Sequence, residues 1–359
     1  MSVGVHQVVA VLERADAVGD EIRALRAALR ARGYASDVFA PLRHPGGEAD
    51  VADLDALLTG PAPAAVLYHF ATASPATARL VASDLPLVLI HHNITPPHFF
   101  WGVDVAHHEG CRAAIDELPW LRDRVLLAVG HSEFTRRHLE TLGFRRTAAV
   151  PLMLGEQPQP ELPPGRLRDE IAAAPTLLSV GRIAPNKRLE DTVRLLHAYR
   201  QGVEPRARLW IVGDGSRLPR YRQAVERLVL DLGEQRAVRW LGRLDTDDLR
   251  DCYAGAAAYV SMSEHEGFGG PLLEAMQAGL PVIAYDAGAT AETLGGAGVV
   301  VRAKQPLVMA ELLARLVADT PLRRHAVAEG RRRAAALAPQ HSIDALVRLL
   351  GSAGVPAPP

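Results

Sequence analysis

The sequence predicts an α/β fold made of two doubly wound domains, each a parallel sheet with helices on both faces. Apolar runs of strand length alternate with segments of helical periodicity along the whole chain. The proline-rich stretch GEQPQPELPPG at 155–165 interrupts this alternation, which then restarts. The length of 359 residues suits two domains. We expect an N-terminal domain over 1–154, a linker over 155–170, a C-terminal domain over 171–340, and a helix and tail over 341–359.

The N-terminal half contains the first set of alternating elements. The predicted strands are 8–12, 37–40, 64–70, 85–92, 125–130 and 147–152. The predicted helices are 20–32, 50–58, 74–84, 107–118 and 132–142. Gly33 is a typical helix stop, and Ser132 followed by Glu133 is a typical helix start. A parallel sheet follows from strands that alternate with helices.

The C-terminal half repeats the same pattern. The predicted strands are 176–181, 208–213, 238–242, 257–262, 281–285 and 298–301. The predicted helices are 188–200, 217–232, 245–255, one that starts at Pro271, and then 306–318, 321–336 and 342–350. We expect the two domains to face each other across a cleft, with ligands at the carboxyl ends of the strands.

Composition excludes several classes of protein. Hydrophobic residues make up 48% and charged residues 23%, which is typical of a folded globular chain and not of a disordered one. The net charge of -1 does not favour a nucleic-acid partner, and neither half has the polybasic face that would predict strong membrane binding. No apolar run approaches ~18 residues, so no transmembrane helix is expected.

The N-terminus and the cysteines predict a cytoplasmic protein. The first residues lack the basic region of a signal peptide. Cys111 and Cys252 lie far apart in the sequence and do not form a disulfide framework. Lysine is rare, because only Lys187 and Lys304 accompany 38 arginines among the 40 basic residues. A retained lysine is of interest, since Lys and Arg are not interchangeable at a tight site.

The most informative segment is SEHEGFGGPLLEAMQAGL at 263–280. A predicted strand ends before it, and a glycine-rich loop leads into Pro271, which suits the first position of a helix. Backbone N–H groups at such a helix start favour an anion. Glu266 and Glu274 frame the loop, eight positions apart. The residues alone leave three interpretations: an acid/base pair, an acceptor of sugar hydroxyls, or acidic residues near a helix dipole.

Two further strand ends carry candidate binding residues. Arg182 and Lys187 lie five positions apart in GRIAPNKR, just before a helix, where two cations suit a diphosphate but also fit an ordinary solvated turn. Gly213 lies in VGDG after the next strand. The full G-x-G-x-x-G fingerprint is absent because Leu218 holds its last position, so a tight turn is the simpler interpretation.

A histidine-rich segment, HHNITPPHFFW at 91–101, follows the strand at 85–92. With His107 and His108 nearby it suggests a metal site, but it lacks a zinc-like spacing such as H-E-x-x-H. We therefore favour a substrate contact by a histidine at the strand end. The aromatic run 99–101 fits either the core or stacking on a sugar ring.

Taken together, these motifs resemble those of family-four retaining glycosyltransferases of the GT-B fold. The sequences GRIAPNKR, VGDG, LGR, SEHEGFGGPLLEAMQAGLPVIAY and AGATAE occur in the family's order over about 176–301. Glu266 and Glu274 match the family's E-x₇-E motif. HHNITPPHFF and VGHSEFTRRHLETLGF are similar to a bacterial subgroup that acts on polysaccharide, lipopolysaccharide or antibiotic sugars.

The resemblance implies a role for each matching residue. Arg182 and Lys187 hold the donor diphosphate and neutralise the leaving group, and Glu274 binds the ribose hydroxyls. Glu266, with the N–H groups of Phe268 and Gly269, faces the transferred sugar.

Five further residues take part by the same resemblance. His92 lies near the reacting carbon of the sugar. Gly19 belongs to an N-terminal loop that approaches the diphosphate, although this loop is shorter and poorer in glycine than usual in the family. Gly270 replaces a larger apolar residue of the sugar pocket. Gly213 and Arg243, in the VGDG and LGR motifs, complete the predicted donor-binding set.

The implied reaction transfers a hexose from a nucleotide diphosphate sugar to an acceptor hydroxyl with retention of configuration. The donor is GDP-mannose-like or a UDP- or dTDP-sugar, and the acceptor is a glycan, a lipid-linked sugar or a natural product. By the same resemblance, the two cations and the helix start at the glycine loop replace a divalent metal, so no metal or other cofactor is expected. A nucleotide-sugar epimerase of the same fold and a non-catalytic nucleotide-sugar-binding protein remain alternatives. A dehydrogenase is disfavoured, because ERADAVGDE replaces the glycine fingerprint.

Overall fold

A computed structural model describes residues 3–12, 17–41, 51–153, 165–318 and 321–359. The chain divides into two compact units. The first comprises Met1–His98, Val105–Glu156 and Leu337–Pro359, and the second comprises Phe99–Asp104 and Gln157–Ala336. Of the linker predicted over 155–170, residues 155–164 lie outside the described residues.

The first unit is built on a seven-stranded parallel sheet in the order β3-β2-β1-β4-β5-β6-β7. Its strands are β1 (Val5–Val9), β2 (Val38–Ala40), β3 (Val51–Asp53), β4 (Ala65–Phe70), β5 (Leu87–His91), β6 (Val125–Gly130) and β7 (Thr147–Ala149). Its helices include α1 (Ala17–Ala31), α2 (Leu54–Thr59), α3 (Pro75–Val81), α4 (Val105–Glu117) and α5 (Glu133–Thr141). Helices cover both faces of the sheet, so every residue of β4 is buried.

The predicted helix boundaries in this unit have clear local causes. Gly33 has a φ of 85°, which ends α1 in the left-handed region that glycine tolerates best. The hydroxyl of Ser132 accepts a hydrogen bond from the Thr135 amide at 3.1 Å, so Ser132 is the N-cap of α5. The structure corrects the predicted helix at 50–58, where β3 precedes α2, because a three-residue strand is too short to show a periodicity.

The second unit is built on a six-stranded parallel sheet in the order β10-β9-β8-β11-β12-β13. Its strands are β8 (Thr176–Val180), β9 (Arg208–Val212), β10 (Val238–Gly242), β11 (Ala258–Ser261), β12 (Val282–Tyr285) and β13 (Val299–Val301). Its helices are α6 (Arg168–Ala172), α7 (Leu189–Gly202), α8 (Pro219–Asp231), α9 (Thr246–Gly255), α10 (Gly270–Gln277), α11 (Thr290–Leu294), α12 (Pro306–Val317) and α13 (Pro321–Ala336). The short helices α6 and α11 were not predicted.

The last helix, α14 (Pro339–Ser352), returns to the first unit. Its buried residues Ile343, Leu346 and Leu350 join the hydrophobic cluster that contains Leu25 and Leu29 of α1. The apolar face of α14 therefore completes the first core. Among the described residues, no helix has the length and apolar character needed to cross a membrane.

Candidate functional site

Two strand ends of the second unit approach each other closely enough to require glycine. The Gly181 amide, just after β8, donates to the Val212 carbonyl of β9 at 2.9 Å. Gly213 has a φ of 149°, and a Cβ on it would lie 1.8 Å from the Gly181 carbonyl oxygen. Only a residue without a side chain fits there. The geometry of Gly213 thus brings the β8 and β9 loops together.

Lys187 pairs with Glu266 across two loops at the carboxyl ends of β8 and β11. The Lys187 Nζ donates to Glu266 Oε1 at 2.7 Å, and the side chains are 21% and 12% exposed. Arg182 lies exposed in the same loop as Lys187 and makes no ion pair within the described part of the chain. Two of the predicted site residues therefore meet directly, and a third offers a cation beside them. A recess in this region is lined in part by Gly181, Arg182, Lys187, Tyr259 and Glu266.

Backbone contacts hold these two loops together. The carbonyl of Asn186, a buried residue, accepts hydrogen bonds from the Ser263 hydroxyl at 3.0 Å and from the Glu264 amide at 2.8 Å. The Asn186 side-chain amide donates to the His265 carbonyl at 3.4 Å. The loop before Glu266 is therefore fixed to the residue before Lys187.

The second lysine of the chain supports the same loops. Lys304 Nζ donates to Asp191 Oδ2 at 2.9 Å and to Glu264 Oε1 at 2.7 Å, and it lies 4.5 Å from the centre of the Tyr285 ring. Burial acts to raise the pKa of Asp191, but the hydrogen bond and charge of Lys304 bring that pKa below its ordinary value. This network was not predicted, since its members are far apart in the sequence.

The start of α10 has the predicted geometry of a glycine loop before a helix. Gly269 has a φ of 90° and Gly270 is the first residue of α10, followed by Pro271. Phe268 is buried, and its carbonyl accepts a hydrogen bond from the Thr293 hydroxyl. Pro271 has no N–H, and the Leu272 amide donates to the Gly269 carbonyl at 2.9 Å, so the backbone of the glycine loop before α10 is the part that suits an anion.

Glu274, on α10, is held by a tyrosine that sequence reasoning missed. The Tyr253 hydroxyl of α9 donates to Glu274 Oε2 at 2.6 Å. Burial and the nearby Glu274 charge raise the pKa of Tyr253 well above its ordinary value, so the phenol stays a donor. The available sequence signal was only that Tyr253 lies in the last turn of the helix predicted at 245–255.

Two further predicted residues, Arg243 and Gly19, make no contact with the Lys187–Glu266 pair among those described. Arg243 follows β10 and is exposed, and its charge helps to lower the pKa of Asp214, mainly set by hydrogen bonds from Ser216. Gly19 lies buried in the first turn of α1 and not in a loop. Part of the segment that precedes it, 13–16, lies outside the described residues.

The first unit contains a second cluster, of Gln7, Glu21, His69, His92 and His131, which we call the histidine cluster. His92 Nε2 lies 3.0 Å from His69 Nδ1 and 3.7 Å from Glu21 Oε2, and their side-chain atoms approach within 4.8 Å of one another. Glu21 Oε2 lies 3.2 Å from His131 Nε2. The sequence singled out His92 alone. The missed signal is that His69 and His131 also lie at the ends of apolar strands.

The histidine cluster contains one charged pair and two neutral histidine rings. Burial acts to raise the pKa of Glu21, but the charge of the adjacent His131 ring lowers it. Burial acts to lower the pKa of His131, but Glu21 raises it above its ordinary value. Burial lowers the pKa of His69 to about 3 and that of His92 well below its ordinary range. Glu21 and His131 therefore form the ion pair, while His69 and His92 stay neutral.

The second unit matches a known family of enzymes. The sequence model of the family described as Glycosyl transferases group 1 matches residues 169–333. Residues 169–333 belong to this family. This membership confirms the resemblance that the motifs at 176–301 indicated.

The curated relatives agree with this assignment over the same half of the chain. A mannosyltransferase of Corynebacterium glutamicum, named GDP-mannose-dependent monoacylated alpha-(1-6)-phosphatidylinositol monomannoside mannosyltransferase, is 32% identical over 161 residues. The match covers 43% of this chain and 40% of that protein. The chain therefore spans about two fifths of the length of this curated relative. It spans 32% of another, an O-antigen chain mannosyltransferase of Escherichia coli.

Solved structures share the fold over nearly the whole chain. Sucrose-phosphate synthase from Thermosynechococcus elongatus has a TM-score of 0.74 at 18% identity and covers 98% of both chains. Anabaena HepE in complex with UDP and glucose has a TM-score of 0.71 at 18% identity and covers 98% of this chain and 100% of its own. The predicted fold class, GT-B with two doubly wound domains, is confirmed.

Proposed function

We propose that the protein is a retaining glycosyltransferase that moves a hexose from a nucleotide diphosphate sugar to a hydroxyl group of a carbohydrate or glycosylated acceptor. The observation that carries this proposal is the Lys187–Glu266 contact of 2.7 Å at the carboxyl ends of β8 and β11. A cation and a carboxylate held in contact suit a site that must receive both a diphosphate and a polar sugar.

In this proposal the cations act on the diphosphate. Arg182 is exposed, and Lys187 is held within the loop by its pairing with Glu266. When a diphosphate binds, Lys187 exchanges one carboxylate contact for a phosphate contact, so Glu266 becomes able to accept hydrogen bonds from the sugar. Together with the amides of the glycine loop before α10, these groups stabilise the charge that develops on the leaving diphosphate.

The proposed ribose contact is made by Glu274. Its Oε2 accepts the Tyr253 hydroxyl, and a carboxylate can accept several hydrogen bonds, so ribose hydroxyls can bind to the same group. Gly213, Phe268, Gly269, Gly270 and Arg243 complete the proposed donor site, while the roles of Gly19 and His92 rest on the family resemblance.

The donor is one of the nucleotide sugars that the sequence left open. The relatives' names support two of these, since one is GDP-mannose-dependent and HepE binds UDP. The acceptor is proposed only by class: a glycan, a lipid-linked sugar or a natural product.

A thermal-shift panel of GDP-, UDP- and dTDP-sugars tests the donor. A ligand at about 100 times its Kd adds about 2.7 kcal/mol to the free energy of unfolding, and the correct nucleotide should shift the unfolding midpoint most. Incubation with that donor then tests catalysis, because a transferase releases nucleoside diphosphate slowly in water and faster with its acceptor. If no nucleoside diphosphate is released, or if the product is an epimerised sugar nucleotide, the proposed activity is refuted.

A further inference from the structure

A chain of hydrogen bonds in the first unit determines where His92 carries its proton. The chain begins at Gln7, a fully buried residue of β1. The Gln7 Nε2 donates to the Ile22 carbonyl at 3.2 Å, so its Oε1 is the atom that faces His69 Nε2 at 2.9 Å. Because an amide oxygen only accepts, His69 must carry its proton on Nε2.

The next link follows from the neutrality of His69. A neutral imidazole with a proton on Nε2 has a lone pair on Nδ1. That Nδ1 faces His92 Nε2 at 3.0 Å, so His92 is the donor of this hydrogen bond and carries its proton on Nε2. The two rings are stacked at an interplanar angle of 30°.

Glu21 favours the same location for the proton. Its Oε2 lies 3.7 Å from His92 Nε2, where a negative charge stabilises a proton. Glu21 does not take that proton, because its partner in the ion pair is His131 at 3.2 Å, and its Oε1 accepts the Met153 amide at 3.2 Å. His92 therefore stays neutral with a single free lone pair, on Nδ1.

We propose that Gln7 and His69 are positioning residues that hold His92 in its neutral Nε2–H tautomer, so that His92 offers its substrate one acceptor atom, Nδ1. An acceptor without charge or proton suits a hydroxyl group and repels a phosphate oxygen. The contact of His92 with the transferred sugar belongs to the proposed function on which this inference rests, and Gln7 and His69 add to it the tautomer and the accepting atom, Nδ1.

The tautomer is measured directly by nuclear magnetic resonance on the full chain labelled with ¹⁵N-histidine, without ligand. Two-bond ¹H–¹⁵N correlations distinguish a ring protonated on Nε2 from one protonated on Nδ1, and His92→Asn identifies the His92 signals. We expect the Nε2–H form for both His69 and His92 from pH 6 to pH 8. A proton on Nδ1 of His92, an imidazolium ring, or a change in the signals when Zn²⁺ is added or a chelator removes a metal would overturn the proposal.

Two sets of variants test the positioning role. In Gln7→Met the acceptor is replaced by a side chain of similar size, and we expect mixed tautomers of His92 and a kcat about tenfold lower. The Kd of the nucleoside diphosphate should stay the same. Ser342→Ala is the matched control, since Ser342 is a buried polar residue of the same unit outside the histidine cluster. Unchanged tautomers in Gln7→Met would contradict the role of Gln7.

Two substitutions of His92 report which nitrogen meets the substrate. The amide of asparagine lies near the position of Nδ1, whereas the amide of glutamine lies near the position of Nε2. His92→Asn should therefore retain more of the wild-type kcat than His92→Gln, and the reverse order would refute an Nδ1 contact. If the tautomers are as proposed but His92→Gln and His92→Asn both keep the wild-type kcat, the hydrogen-bond chain stands and the sugar contact of His92 is wrong.

Discussion

The histidine cluster of the first unit and the Lys187–Glu266 pair of the second unit differ in how many of their ionisable side chains carry a charge. The side chains of Glu21 and His92 are each 5% exposed, and the environment keeps only one ion pair while His69 and His92 are neutral. The side chains of Lys187 and Glu266 are more exposed, at 21% and 12%, and they form a close ion pair that water can reach. Burial thus makes His69 and His92 neutral hydrogen-bonding groups in the first unit. In the second unit, the partly exposed ion pair offers charged groups that can bind an ionic ligand.

The largest expected effect of this difference is a loss of stability in mild acid. Burial lowers the pKa of both His69 and His91 to about 3, while the unfolded chain binds a proton on each below about 6.5. Between these values the unfolded state binds more protons, so the free energy of unfolding falls by about 1.4 kcal/mol per pH unit for each ring. Since half of the unfolded rings are already protonated at pH 6.5, we expect these two rings to contribute a loss of about 3 kcal/mol between pH 6.5 and pH 5, measured by urea unfolding.

A matched variant isolates one of these rings. His91→Phe removes one buried histidine that packs beside Phe70, and it should remove about half of the loss that His69 and His91 together contribute. His131 acts in the other direction, since its raised pKa contributes stability below pH 6.5 that is lost as the pH rises through the folded-state value. An unfolding free energy that stays constant between pH 6.5 and pH 5 would contradict the neutral state of the buried rings.

Removal of the cation in the second unit should have the next largest effect, on activity. Lys187→Ala should lower kcat/KM by about 2–3 kcal/mol, roughly 30- to 150-fold, because a preorganised charge at the leaving group is lost. Lys187→Arg should also be impaired, since a planar fork does not replace a point charge. Arg302→Ala is the control, because Arg302 is an 88% exposed cation paired with Asp286. Steady-state kinetics at the wild-type level in both Lys187 variants would exclude this loop from the site.

Glu274→Ala and His92→Ala compare the two units directly. Glu274→Ala should weaken binding of the donor and of the bare nucleoside diphosphate alike, by about 1–3 kcal/mol, because ribose hydroxyls lose a partner. His92→Ala should lower kcat with little change in the affinity for the diphosphate. Calorimetric titration beside steady-state kinetics separates these results. Loss of diphosphate binding in His92→Ala, with retention in Glu274→Ala, would reverse the two assignments.

A smaller loss of nucleotide affinity is expected when only the Tyr253 hydroxyl that binds Glu274 is removed. Tyr253→Phe deletes the hydroxyl that donates to Glu274 Oε2, and the affinity for the nucleoside diphosphate should fall by about 1–2 kcal/mol. Tyr221→Phe is a matched control, because the Tyr221 hydroxyl donates to Glu190 at the same 2.6 Å distance. Equal affinities of Tyr253→Phe and the wild type, measured calorimetrically, would show that Tyr253 does not orient the ribose contact.

The smallest expected effect is that of a chelator. Arg182, Lys187 and the amides of the glycine loop before α10 are proposed to neutralise the leaving diphosphate, so EDTA should leave kcat unchanged. Loss of turnover that manganese or magnesium restores would instead require a metal at the diphosphate, and the proposed cationic site would need revision.

The sequence predicted most elements because their signals are local. Ser132 and Gly33 mark helix ends through contacts within a few residues, and apolar runs mark the strands. The element β3 was missed because three residues carry too little pattern. Tyr253 was missed because its meaning depends on Glu274, which lies 21 positions away on another helix.

By itself, the sequence determined the two-domain α/β class, the order of its elements and the family of its second half. These follow from periodicity and from short spacings such as Glu266 to Glu274. Only the tertiary structure decided which distant side chains meet, as Lys187 with Glu266 over 79 positions and His69 with Gln7 over 62. It also decided which of those groups are charged, because burial and neighbouring charges set a pKa and neither can be read from a single chain position.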